Sequence, residues 1–151
     1  MGIWDNVKSS VSNMNDSLQQ QVGRIRNKDF SEAVTATCAL IAAADGNISA
    51  EERQKTAGFI ASNPALSHFD VVQLQERFSY YCTKLSGDFD FGKIEALQVI
   101  GKLKKKEELA RTLIQLGIVI GAADGDFDDD EKKVVREICH AVGVDPVQFD
   151  L

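Results

Sequence analysis

Two short acidic stretches carry the side chains best able to do chemistry. Ile41-Ala-Ala-Ala-Asp-Gly-Asn-Ile-Ser-Ala-Glu-Glu52 aligns with Ile120-Gly-Ala-Ala-Asp-Gly-Asp-Phe-Asp-Asp-Asp-Glu131 at a constant offset of 79, with six identities in twelve positions. Each has the second half of an EF-hand calcium loop: Asp at position 5, Gly at 6, a carbonyl slot at 7, an apolar residue at 8 and Glu at 12. The first half is missing, because positions 1 and 3 fall on Ile41 and Ala43, or on Ile120 and Ala122, which offer no oxygen. A true EF-hand is therefore excluded. If the two turns meet, Asp45, Glu52, Asp124, Asp126 and Glu131 are hard donors of the type that hold calcium, magnesium or manganese.

Local geometry offers a competing account of the same residues. Ser49 with Glu52, and Asp128 with Glu131, have the spacing of capping boxes, and Gly46 and Gly125 suit left-handed positions after a helix. Asp45 and Asp124 fit that account less well, since a carboxylate at a helix C-terminus is disfavoured by roughly 0.3–1 kcal/mol. The residues alone leave both readings open, a cation site and a pair of capped turns with solvated acids.

The elements that must position these turns are helical. Apolar residues recur near every 3.6 positions, and the two prolines, Pro64 and Pro146, fall in breaks. Caps and periodicity place helices near Ile3–Gln20, Asp29–Ala44, Ser49–Ser62, Phe69–Ser86, Phe91–Leu103, Lys106–Ala123 and Asp129–Val142, with a short turn from Asp145. The expected architecture is all-α, a single compact domain of about seven helices containing a duplicated helix-loop-helix. Residues 1–28 form an amphipathic N-terminal helix in this reading and residues 29–151 the helical domain. Ile41, Leu74, Phe78, Leu97, Leu113, Ile120, Val134 and Ile138 are the expected core, and the fourth helix is expected to turn Val71, Leu74, Phe78, Tyr81, Cys82 and Leu85 inward.

Composition narrows the function. The chain has 151 residues and a net charge of −6. Six carboxylates lie within Asp124–Glu131, and removing them from the 23 acids leaves 17, equal to the 17 Lys and Arg. The charge is thus local, which argues against general nucleic-acid binding. The apolar runs Ala33–Ala44 and Leu113–Ala123 are too short to cross a bilayer, and Met1–Asn6 lacks the start of a signal peptide, so a cytoplasmic protein is expected. Cys38, Cys82 and Cys139 follow apolar helical faces without a C-x-x-C pair and read as reduced core thiols. His68 and His140 have no recognisable nucleophile partner, and no enzyme is expected.

Two surface features remain. Ile3, Val7, Val11, Met14, Leu18, Val22 and Ile25 form a narrow apolar seam suited to docking on the domain, a partner or a membrane surface. Lys102, Lys104, Lys105 and Lys106, with the trio Arg24, Arg26 and Lys28, are the positive patches; they read as solvated surface, with an anionic partner or lipid headgroup as the alternative.

At the repeats the sequence resembles the tellurite-resistance protein TerB family. The resemblance rests on residues 42–52 and 122–132, the opening Met1-Gly-Ile-Trp-Asp5, and the ending Val142-Gly-Val-Asp-Pro-Val-Gln-Phe-Asp150. It implies a seven-helix domain that takes part in resistance to tellurite and related stresses. Family acids linked to a divalent cation map onto Asp45, Glu52, Asp124 and Glu131; Asp126 is added here because Asn47 stands at its place in the first repeat. The resemblance also implies other tellurium-resistance proteins as partners, including an integral membrane partner, and peripheral association at the inner membrane. Three functions follow as expectations: a cation-binding scaffold, an adaptor whose acidic turns dock a basic partner without metal, and, least favoured, a thiol-based tellurite reductant.

Overall fold

The computed structural model describes residues 27–123 and 127–151, and among them the chain is helical throughout, with no strand. Six α-helices are present: α1 (Lys28–Ala42), α2 (Ala50–Ser62), α3 (Val71–Gly87), α4 (Phe89–Gly101), α5 (Glu107–Gly121) and α6 (Asp129–Val142). Short 3₁₀ turns follow at Pro64–Leu66 and Pro146–Phe149. The expected helix Ile3–Gln20 lies outside the described residues.

α1 is the centre of the bundle. It begins at Asn27, whose side chain accepts from the Phe30 N–H at 3.2 Å, and from Ala33 to Ile41 every residue is buried. A helix apolar on all sides must be surrounded, and α1 touches each of the other five. α5 is its counterpart, buried from Leu116 through Gly121. The two cross closely at Gly117, where an added methyl would lie 3.4 Å from the Thr37 methyl. The two apolar runs too short for a membrane are thus the inner pair of the bundle. No helix among the described residues is long and apolar enough to cross a membrane.

The sequence repeat extends to whole helices. Both ends of α5 are displaced from those of α1 by the same 79 residues, as is the start of α6 from that of α2. Between the two pairs, α3 and α4 form a joint: Asp88 ends α3 and caps α4, its carboxylate accepting from the Phe91 N–H at 3.2 Å. This cap starts α4 at Phe89, two residues before the expected Phe91. At Gly92 an added methyl would come within 2.8–2.9 Å of the Lys84–Leu85 backbone, so glycine lets the two helices meet main chain to main chain. Arg77 of α3 donates to Glu32 of α1 at 2.7 Å while its guanidinium lies 4.3 Å over the Tyr80 ring. Tyr80 in turn donates to Glu95 of α4 at 2.7 Å, which ties three helices through one polar chain.

Of the eight expected core residues, seven are buried. Leu97 is only partly buried, because it faces a cleft shared with Leu40, Phe89 and Val134. Val71 is also displaced from the expected inner stripe: it occupies the first turn of α3 and is 43% exposed. Cys38, Cys82 and Cys139 are free and buried.

Candidate functional site: a cleft between two acidic turns

The loops joining α1 to α2 and α5 to α6 come together. A single cleft of about 360 Å³ is lined by Asp45, Glu51 and Glu52 from the first unit and by Asp128 and Glu131 from the second. Ile41 and Ile120, near the C-terminal ends of α1 and α5, form part of its wall. The helix pairs therefore place two C-termini and two N-termini around one space.

The first turn is held by local bonds. α1 stops at Ala42, and Gly46, three residues beyond its C-cap Ala43, takes φ +90°, a conformation that glycine adopts without a steric penalty. Gly46 is therefore a turn glycine, not the helix-ending position expected. The Asp45 carboxylate accepts from the Asn47 N–H at 3.0 Å, which gives this acid a turn-forming role at the helix end. Ser49 caps α2 by accepting from the Glu52 N–H at 3.0 Å, yet the return bond of a capping box is not made, and Glu52 is exposed. The expected box is half formed.

The described part of the second turn, from Phe127 onward, carries a complete cap. Asp128 accepts from the Glu131 N–H at 2.8 Å, and Glu131 accepts from the Asp128 N–H at 3.2 Å, completing the box. Phe127 is 7% exposed and lies on Gly121, where an added methyl would sit 2.3 and 2.5 Å from two ring carbons. The same hypothetical methyl would be 3.5 Å from a Glu131 oxygen, which places that carboxylate beside the ring. In the first unit Ala42 and the smaller Ile48 occupy the corresponding places, so the two repeats exchange bulk between helix end and loop.

Of the expected ligands, Asp45, Glu52 and Glu131 share the cleft, while Asp124 and Asp126 lie outside the described residues. Among the described residues no group of three His, Cys, Asp or Glu is close enough to hold a metal ion by itself. Lys55 also lines the cleft and was not anticipated, although its spacing of three from Glu52 on a helix puts both side chains on one face. Asp45 in addition borders a second cleft of about 260 Å³, where Lys93 and Glu137 pair at 2.5 Å.

The thiols stand apart from this chemistry. Burial pushes Cys82 and Cys139 up from an ordinary 9.0 to about 11 and raises Cys38 further, so all three stay protonated at neutral pH.

A buried helix pair with two acidic turns at one end defines the class, an all-helical domain built on a duplicated helix, acidic turn and helix. The family model described as tellurite resistance protein TerB matches residues 31–151. The chain is also 36% identical over 118 residues to the tellurium resistance protein TerB of an Alcaligenes species, covering 78% of this chain and 97% of that protein. It belongs to the TerB family of tellurite-resistance proteins. No solved structure matches it significantly.

Proposed function

We propose that this chain serves tellurite resistance as a non-enzymatic scaffold whose two acidic turns share one weak site for a hard divalent cation. The observation that carries the reading is the common cleft, which is lined by Asp45 and Glu52 of one repeat and by Asp128 and Glu131 of the other. Carboxylates suit calcium, magnesium or manganese, while the two helix C-termini and two helix N-termini around the cleft offset one another, so the attraction for a cation rests on the acids. The backbone N–H groups that donate to Asp45, Asp128 and Glu131 fix these side chains as supporting bonds fix ligands elsewhere.

The donor set fits such an ion by type but not by number, since no three acids converge among the described residues. Water and the remaining second-turn acids, Asp124 and Asp126, complete the coordination in this reading, with an affinity on the order of 10⁻⁴ to 10⁻³ M. Other tellurium-resistance proteins, one of them integral to the inner membrane, are the partners that follow from the family. Manganese added well below stoichiometry should broaden amide signals of both turns together and leave the 102–106 loop sharp. Uniform broadening, or none, would count against a localised site.

The adaptor reading retains one specific support: the Asp128–Glu131 box and the Asp45–Asn47 bond position three of the acids without any metal. A basic peptide that displaces no cation, yet shifts the same amides, would favour it. The thiol-reductant reading is disfavoured by the burial of all three cysteines. Slow alkylation of the native protein is expected, and fast alkylation would revive it.

A further inference from the structure

The cleft between the two acidic turns carries one positive charge of its own. Lys55 of α2 lines it together with Asp45, Glu51, Glu52, Asp128 and Glu131, one ammonium among five carboxylates. Its spacing of four from Glu51 and three from Glu52 sets all three side chains on one face of the helix. Two observations set this lysine apart. Among the described residues it forms no ion pair, whereas Lys93 holds Glu137 at 2.5 Å and Lys132 lies 3.6 Å from Asp129. The repeat offers no counterpart either: 79 residues on stands Val134, which is 7% exposed and belongs to the core. α2 buries only Ile60, so Lys55 stays exposed, and its flexible stem lets the ammonium pass from one carboxylate to the next.

We propose that Lys55 is a tethered counter-ion, which holds the acidic cleft when no metal is bound and which a divalent cation must displace. The proposal rests on the shared cation site proposed above and names what regulates it. Carboxylates facing one space repel one another, and the lysine relieves part of that repulsion from within the chain. An ammonium has three donors and no acceptor, so it offers a metal no ligand and only opposes its approach. The first repeat thus supplies both acids that attract the cation and the charge that competes with it. The cleft of about 360 Å³ is about 9 Å across if compact. At that separation in water, repulsion between a unit charge and a divalent ion amounts to about a fivefold change in affinity at low salt.

The test is a calcium titration of the full-length protein at low salt, followed by the amide shifts of both turns and the Lys55 ε-methylene signal, and repeated on three variants. Lys55→Met removes the charge, keeps an unbranched stem and adds no oxygen ligand, with helicity retained because Lys55 is exposed. Lys55→Arg keeps the charge. Lys105→Met removes an equal charge just before α5, a helix length away from the cleft. The expected result is about fivefold tighter binding for Lys55→Met, unaltered binding for the other two, and a wild-type ε-methylene signal that moves along the same curve as the amides. Unaltered or weaker binding by Lys55→Met overturns the proposal and leaves the cation site standing. An equal gain from Lys105→Met also overturns it, since net charge alone would then be at work. If neither turn shifts in wild type or in Lys55→Met at millimolar calcium, the cation site itself fails and the proposal with it.

Discussion

The two acidic turns have the same length and descend from the same pattern, yet they are held by different means. The first relies on hydrogen bonds at the surface: Asp45 to the Asn47 N–H, Ser49 to the Glu52 N–H, and a glycine at φ +90°. The second adds packing, with Phe127 lodged against Gly121 and a complete capping box between Asp128 and Glu131. The contrast teaches that the repeats share the spacing of the acids but differ in the bulk packed under the loop, Ile48 in one and Phe127 in the other, and in whether the cap is reciprocal.

The largest expected effect comes from buried thiols that sit at non-equivalent places in the two repeats, Cys38 on α1 and Cys139 on α6. A folded-state pKa above the unfolded value means that the native state keeps its proton longer. Stability should then be constant below pH 9 and fall as pH rises from 9.0 toward 11, as the unfolded chain ionises first. The loss should be on the order of 2–3 kcal/mol per thiol. Urea unfolding across this range checks it, and Cys38→Ala should flatten the decline at least as much as Cys139→Ala. A flat profile in the unaltered protein would mean that the thiols ionise without strain.

Packing in the second turn comes next. Gly121→Ala places a methyl into the Phe127 ring and should destabilise by roughly 1–3 kcal/mol, whereas Ala42→Gly in the first repeat should cost only about 1 kcal/mol. Pairing Gly121→Ala with Phe127→Ile, which rebuilds the first repeat's combination, should recover most of the loss in denaturant midpoint. Failure to recover would mean that the exchange of bulk between the repeats is coincidental. The caps give a smaller difference: Asp128→Ala should cost about 2 kcal/mol and Ser49→Ala about 1 kcal/mol, because only the former breaks a reciprocal pair. Equal losses in thermal melts would erase the distinction between the turns.

Helical class, the repeat and most element boundaries were legible because they depend on local period and caps. Ser49 and Asp128 cap as expected, whereas Asn27 and Asp70 cap helices that were expected to begin at Asp29 and Phe69. What escaped was tertiary. Nothing in the pattern around Leu97 says that its side of α4 opens onto a cleft. The half-formed box at Glu52 likewise depends on how that side chain is drawn toward solvent rather than on its spacing. The five expected ligands were chosen by type, and the approach of the two turns could not be read from either turn alone. It results from the parallel placement of α1 and α5, which ends both helices at one cleft. The exchange of Ala42 and Ile48 for Gly121 and Phe127 was visible as letters, but only the contact gives it meaning.

The central claim is that both turns act on one ion. The most direct test follows amide chemical shifts of the full-length protein during titration with calcium and with magnesium, the diamagnetic substitute for manganese at oxygen ligands, repeated on Asp45→Asn. The account predicts that residues 45–52 and 127–131 shift along a single binding curve at 10⁻⁴ to 10⁻³ M, and that Asp45→Asn weakens the response of both turns severalfold. Shifts confined to the second turn and indifferent to Asp45→Asn, or no shift in either turn at millimolar cation, would contradict it.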